Sequence, residues 1–94
     1  MNYEWDEKKR QSNIQKHGID FIAAKEVFKD SERIETVDDR RDYGEERIQT
    51  IGFVKPGILF VVYTLRDNGN TRRFISARKA NKIEKALYNS LIGQ

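Results

Sequence analysis

Five arginines in the second half of the chain, Arg47, Arg66, Arg72, Arg73 and Arg78, together with a Lys16-His17 pair and Tyr63, are the side chains best suited to chemistry. The chemistry they suit is that of phosphate. Cleaving RNA without a metal takes a base near the 2′-hydroxyl, cationic donors for the charge that develops on phosphorus, and an acid for the leaving 5′-oxygen. Arg47, Arg66 and Arg73 can supply the charge. His17 is the only histidine, the residue type suited to proton transfer near neutrality, with Lys16 adding positive charge beside it. Tyr63 can stack on a base or donate a proton, or it can simply be core. His17 fits equally well as a last-turn helix residue bonding a terminal carbonyl.

Other reaction classes lack their parts. The chain has no cysteine, no Gly-rich phosphate loop and no paired-histidine helix motif, which excludes the protease, kinase, dehydrogenase and zinc-hydrolase readings. The carboxylates of Asp38 to Glu46 lack the ligand spacing and glycine position of a calcium loop and have Arg40 and Arg41 among them. They read as a solvated or partner-contacting loop, so no metal and no cofactor is expected.

The elements that must position these groups centre on Ile58–Arg78. Ile58 to Leu65 is an uncharged run of apolar and β-branched residues, which predicts a central strand buried on both faces. Asp67-Asn68-Gly69-Asn70 predicts a turn with positive φ and an antiparallel return strand that carries arginines. Upstream, Arg47–Val54 is strand-like and joins the central strand through Lys55-Pro56-Gly57-Ile58, read as a type II turn. With both turns tight, Phe53, Phe60 and Ala77 form one row and Ile51, Val62 and Ile75 the next, and both rows read as core. Gln49, Thr64 and Arg73 follow, then Arg47 beside Arg66. Three guanidinium groups would thus meet at one end of the sheet, which is destabilising unless an anion sits between them. The alternative is that long arginine stems snorkel at the sheet edge.

Around this meander the pattern predicts helices. Tyr3-Glu4-Trp5 reads as a short strand or extended entry, with Trp5 a core plug. Asp6 caps a polar helix from Glu7 to about His17, stopped by Gly18, which presents Lys8, Lys9, Asn13, Lys16 and His17 to solvent or a partner. Asp20 caps a second helix to about Lys29, whose Phe21, Ala24, Val27 and Phe28 make one apolar face over the sheet. A short strand falls around Ile34–Val37. Ser76 caps a last helix from about Arg78 to Ile92, packed by Ala80, Ile83, Leu87 and Leu91 and stopped by Gly93, with Arg78, Lys79, Lys82 and Lys85 towards solvent.

With 94 residues the chain reads as a single domain, 1–94. No run approaches a membrane span and the start has no secretory pattern, so a cytoplasmic protein is expected. Net charge is +3, but residues 1–46 hold 9 Lys and Arg against 13 Asp and Glu, and residues 47–94 hold 9 against 2. The second half is therefore strongly basic, an electrostatic footprint for a polyanion and above all for nucleic acid. Packing of the acidic half over the basic half would cancel it.

Tyr3-Glu4-Trp5-Asp6-Glu7-Lys8-Lys9, Asn13 to Phe21, Gly44-Glu45-Glu46-Arg47, Val61-Val62-Tyr63-Thr64 and Arg73 to Ala80, in this order and spacing, resemble the BrnT toxins of bacterial type II toxin–antitoxin systems. The resemblance covers nearly the whole chain. It implies an α+β, RelE-like fold, with two amino-terminal helices, an antiparallel sheet meander and a carboxy-terminal helix. It also implies a ribonuclease that stops translation, and a BrnA-like ribbon-helix-helix antitoxin through which alone the toxin reaches operator DNA. Lys16, His17, Arg47, Tyr63, Arg73 and Arg78 are the matching site positions, without roles assigned among them. Lys8, Lys9, Lys16, Arg66, Arg72, Lys79 and Lys82 are the candidates for holding RNA. The rival reading is a non-catalytic basic module that docks an antitoxin or nucleic acid.

Overall fold

Asp6 starts the first helix because its carboxylate accepts the backbone N–H groups of Lys8 (2.8 Å) and Lys9 (3.4 Å), donors that a helix start leaves without partners. In the computed structural model, which describes residues 1–38 and 44–92, this helix, α1, spans Glu7–His17. It ends at Gly18, whose φ of 73° is left-handed and costs glycine nothing. Asp20 caps α2, Phe21–Ala24, which tightens into a 3₁₀ helix over Lys25–Lys29. The two pieces keep the expected apolar face, with Phe21, Ala24 and Val27 fully buried. The expected acidic loop falls largely on residues 39–43, and the expected Gly93 helix stop on 93–94; both lie outside the described residues.

Five strands form one mixed sheet in the order β1-β5-β4-β3-β2. They are β1 Asn2–Glu4, β2 Ile34–Asp38, β3 Arg47–Val54, β4 Gly57–Arg66 and β5 Thr71–Lys79. β4 is central, as its uncharged run predicts. β3, β4 and β5 are the antiparallel meander, and the entry segment adds β1 as a parallel edge beside β5, ahead of the helices. Leu59, Val61 and Tyr63 of β4 are buried with Phe74 and Ala77 of β5 against α2 and the 3₁₀ helix. Trp5 stacks on Phe74 with ring centroids 5.9 Å apart, a core plug as expected. The other face of β4 is only half-buried, so the strand is not enclosed on both sides.

The register differs from the tight-turn expectation in two places. At the first turn Val54 pairs with Gly57, so the connection is Lys55-Pro56, with a cis bond between them, and not a type II turn on Pro56-Gly57. This slides β3 by two residues, setting Ile51 opposite Phe60 and Phe53 opposite Ile58. The second turn is as expected: Asp67, Asn68 and Gly69 all have positive φ, and Thr64 pairs with Arg73. Beyond Tyr63, however, β5 carries a bulge at Ile75, and the pairs become Val62 with Ser76, Val61 with Ala77 and Phe60 with Arg78. A one-residue slip exchanges the faces of a strand. Ala77 therefore turns to the helix side, fully buried, while the row expected as core with it is not: Phe53 is exposed and Phe60 only half-buried.

The last helix, α3, spans Lys82–Ile92 and starts later than expected because β5 keeps pairing with β4 as far as Lys79. Its cap is Asn81, whose Oδ1 accepts the Glu84 N–H (2.8 Å) while Glu84 Oε1 accepts the Asn81 N–H (2.9 Å), a reciprocal capping box. Ser76 stays inside the strand. The expected packing stripe is also corrected: Ile83, Leu87 and Leu91 are exposed, and the buried residue of α3 is Tyr88. Its hydroxyl donates to Asp30 Oδ2, which also accepts the Phe53 N–H, so the helix is held by a polar contact that apolar periodicity does not reveal.

Burial, and then the bond to Asp30, push the Tyr88 hydroxyl up to about 12. Burial by itself would raise the Asp30 carboxyl, but the Tyr88 hydroxyl and the Phe53 and Glu32 N–H groups outweigh it and hold it low. Tyrosine raised from 10 contributes stability that is complete below pH 10 and lost as pH rises through about 12. The Asp30 contribution is complete above its unfolded value and lost as pH falls through its depressed one. Tyr88→Phe is accordingly expected to cost about 1–2 kcal/mol. Urea unfolding measured across pH should show that deficit constant through neutrality and vanishing in strong alkali.

Candidate functional site

The bulge decides which arginine reaches the uncovered face of the sheet. Because β5 slips by one residue at Ile75, Arg78 emerges opposite Phe60, and its guanidinium lies 4.2 Å from the centre of that ring. Glu84, reaching down from the first turn of α3, accepts two bonds from Arg78 at 2.8 Å each. Burial by itself would raise the Glu84 carboxyl, but Arg78 and the Asn81 N–H outweigh that and hold it below its ordinary value. The carboxylate is therefore ionised at neutral pH. The guanidinium is oriented from two sides, by a ring beneath and a fork of oxygens beside it.

A hollow of about 380 Å³ opens next to this arginine, walled by Arg47 and Gln49 of β3, Phe60 and Val62 of β4, and Glu84. A second hollow of about 250 Å³ lies along α1, against Lys9, Ser12, Lys16 and His17. Ile75 and Ser76, the bulge residues, line both. The two hollows share the Ile75–Ser76 wall and together make up the groove of the site, with α1 cations lining one part and Arg78 and Arg47 the other.

Asn13 fixes α1 to that groove. Its side-chain amide donates to the carbonyls of Ala77 (2.7 Å) and Ile19 (2.8 Å), and its oxygen accepts the Ala77 N–H (3.1 Å). Asn13 is buried and not solvent-facing as the polar helix pattern predicts. Such a contact satisfies backbone groups on the stretch of β5 edge that β1, paired only as far as Arg73, does not cover. Lys9, Lys16 and His17, on the same helix, stay exposed and form no ion pair among the described residues.

The expected gathering of Arg47, Arg66 and Arg73 is only partly realised. Arg47 and Arg66 do meet, but around Glu45, at 3.9 and 3.1 Å. The anion that like charges on a sheet demand is thus supplied by the acidic half of the chain itself. Arg73 bonds Glu4 of the neighbouring β1 at 2.8 Å and does not line the groove. Tyr63 faces the helices, buried, and donates to Glu35 Oε2 at 2.6 Å. Arg72 lies on the helix side too, its guanidinium 3.8 Å from the Phe28 ring centre and bonded to the Tyr3 hydroxyl, in an aromatic cage away from the groove. Lys8 is exposed on α1, Lys82 on α3, and Lys79 lines a different hollow between α2 and the β3–β4 turn.

Sequence reasoning missed Asn13, Gln49, Ser76 and Glu84. Only Glu84 carries a local signal, as the acidic third residue after Asn81 in a capping box. The other three acquire their places from the bulge and the strand register. Among the described residues no three His, Asp or Glu side chains gather where they could hold a metal ion, and no helix is long and apolar enough to cross a membrane.

A groove that mixes an exposed histidine, free lysines and an oriented guanidinium matches what RNA cleavage asks for. The family model for BrnT, ribonuclease toxins of type II toxin–antitoxin systems, matches residues 5–84. The chain belongs to the BrnT family. No curated protein matches it. The matched span of the BrnT model takes in α1, the whole sheet apart from β1, the groove walls and the start of α3 as far as Glu84. For a BrnT chain the substrate is RNA and the partner is an antitoxin.

Proposed function

We propose that this chain is a metal-independent endoribonuclease, a single RelE-like toxin domain that stops translation by cutting RNA in the cytoplasm. A BrnA-like ribbon-helix-helix antitoxin restrains it, and only in that complex does it reach operator DNA. The observation that supports the reading is a pair of hollows that share Ile75 and Ser76, one lined by Lys16 and His17 of α1 and the other by Arg78 of β5. In the proposed reaction His17 takes the 2′-hydroxyl proton or returns one to the leaving 5′-oxygen. The 2′-oxygen bonds to phosphorus as the bond to the 5′-oxygen breaks, giving a cyclic phosphate and a free 5′-hydroxyl. Lys16 and Arg78 hold the phosphate oxygens as their charge grows. Arg47 and Gln49 line the far wall, where a neighbouring nucleotide would lie, and Lys9 extends the cationic track along α1.

Cleavage of a defined RNA by purified protein in the presence of a chelator tests this. Wild type is expected to cut, and His17→Gln to cut at least about 100-fold more slowly, the usual contribution of a positioned acid or base. Equal rates for the two would remove His17 from the reaction.

A second reading, a non-catalytic binding module, draws on the carboxylates already paired with Arg47, Arg66 and Arg73. It predicts RNA binding with steep salt dependence and no cleavage.

A further inference from the structure

A hollow beside the β3–β4 turn shares no residue with the groove. It measures about 440 Å³ and has aliphatic walls from Ile19, Val54, Ile58 and Leu59. Lys55 of the turn, Lys79 at the end of β5 and Lys85 of α3 line the same hollow. All three lysines are exposed, and none has an ion pair among the described residues.

Other cations of the chain are met from within. Arg10 has Asp20, Arg66 has Glu45, Arg73 has Glu4 and Arg78 has Glu84. The one carboxylate that lines the hollow, Asp20, already gives both oxygens to Arg10 and caps α2. Three like charges around one apolar hollow thus lack an internal counter-charge, and an anionic partner would relieve their repulsion.

The walls indicate what kind of anion this is. A bare phosphate would use the lysines but leave the aliphatic side chains in water. Single-stranded RNA asks for rings on which its bases stack, and among the described residues no aromatic side chain lines this hollow. A second hollow, of about 480 Å³, shares Pro56, Gly57, Ile58 and Lys85 with the first and has the exposed Phe53 and Ile92 in its wall. Apolar surface continued over two adjoining hollows suits an occupant longer than a small carboxylate. A peptide segment with apolar anchors and flanking carboxylates satisfies both features.

We propose that these two hollows seat an acidic segment of the antitoxin, its apolar side chains in the hollows and its carboxylates on Lys55, Lys79 and Lys85. The inference rests on the antitoxin partner that the BrnT family implies, and not on the chemistry of the groove. Gly18 and Lys79, which line the first hollow, directly follow His17 and Arg78 in the chain, so an antitoxin seated there borders the groove.

Calorimetric titration of purified toxin with the antitoxin encoded beside it, at two salt concentrations, tests the proposal. Lys55→Glu/Lys85→Glu, altered only at exposed positions, is expected to weaken binding about tenfold or more and to flatten its salt dependence. Ala23→Trp occupies the first hollow from an exposed position of α2. It is expected to weaken binding about 100-fold, as loss of a central apolar anchor does, with the cooperative melt unchanged. Unchanged affinity in either variant overturns the proposal. Should Ala23→Trp fail to melt cooperatively, the lysine variant decides alone. A lysine variant that keeps its affinity for the antitoxin but loses affinity for RNA assigns the hollow to RNA and overturns it too. So does a wild-type dimer that becomes monomeric in the lysine variant, because a second copy then holds the hollow. Antitoxin binding is read without cleavage, so the hollow and the groove are judged separately.

Discussion

Arg78→Ala is expected to slow RNA cleavage by about 100- to 1,000-fold, the range seen when one preorganised donor to a developing charge is removed. The effect should be large because the other arginine of this hollow, Arg47, is already engaged by Glu45. Phe60 beneath and Glu84 beside the guanidinium fix its direction before any RNA arrives, so little ordering remains to be done on binding. Arg78→Lys keeps the charge but loses the fork that meets two oxygens, and should recover only part of the rate. Stability should change much less, by about 1–2 kcal/mol, because the Arg78–Glu84 pair is partly exposed. Glu84→Gln is the informative companion. It withdraws a negative charge from the groove, and RNA should then bind more tightly and with a steeper salt slope. Single-turnover cleavage and filter binding at several salt concentrations measure both. A fully active Arg78→Ala protein would leave the groove without its central cation.

Asn13→Ala carries the second large effect, this time on the fold. The substitution strips the Ile19 carbonyl and both backbone groups of Ala77 of their partner in a buried place. Each such loss costs about 1–3 kcal/mol, and partial relaxation should leave a total of about 2–4 kcal/mol. Asn13→Asp sharpens the test. Its carboxylate would still accept the Ala77 N–H but would face two carbonyls, so at neutral pH it should be at least as damaging as alanine. Facing oxygens raise the folded pKa of that carboxyl, so the deficit should shrink as pH falls and the acid regains one donor. Urea unfolding of the three proteins between acid and neutral pH reads this directly. Because Asn13 also places α1 beside Ser76, cleavage should fall in the alanine variant even at temperatures where it remains folded.

Both predictions concern residues whose importance comes from the bulge at Ile75, and there the sequence is silent. Regular alternation assigned Ala77 to a core row with Phe53 and Phe60 and gave no reason for Arg78 to share a face with Phe60. A single extra residue in β5 reverses both. The two-residue turn at Lys55-Pro56 likewise moved β3 along β4, since Pro and Gly in sequence admit more than one turn. α3 shows the same limit in another form. A periodic aliphatic stripe pointed to packing, yet a buried tyrosine with a distant aspartate took that role, and the stripe was left at the surface.

Much of the local chemistry, by contrast, was legible, the Ser76 cap and the Pro56-Gly57 turn aside. Asp6, Gly18 and Asp20 bound α1 and α2 because capping depends on a few neighbouring backbone groups. The uncharged run of β4 marked the centre of the sheet, and Asp67 to Asn70 its last hairpin. The amino-acid sequence by itself thus determined the caps, the central strand, the basic second half and, through its motifs, the likeness to BrnT. Tertiary structure alone decided which cations share a groove and which are neutralised by Glu4 and Glu45. The reason is physical: caps and turns are settled by contacts a few residues apart, whereas a site built across strands depends on register, and register is fixed only when distant segments meet.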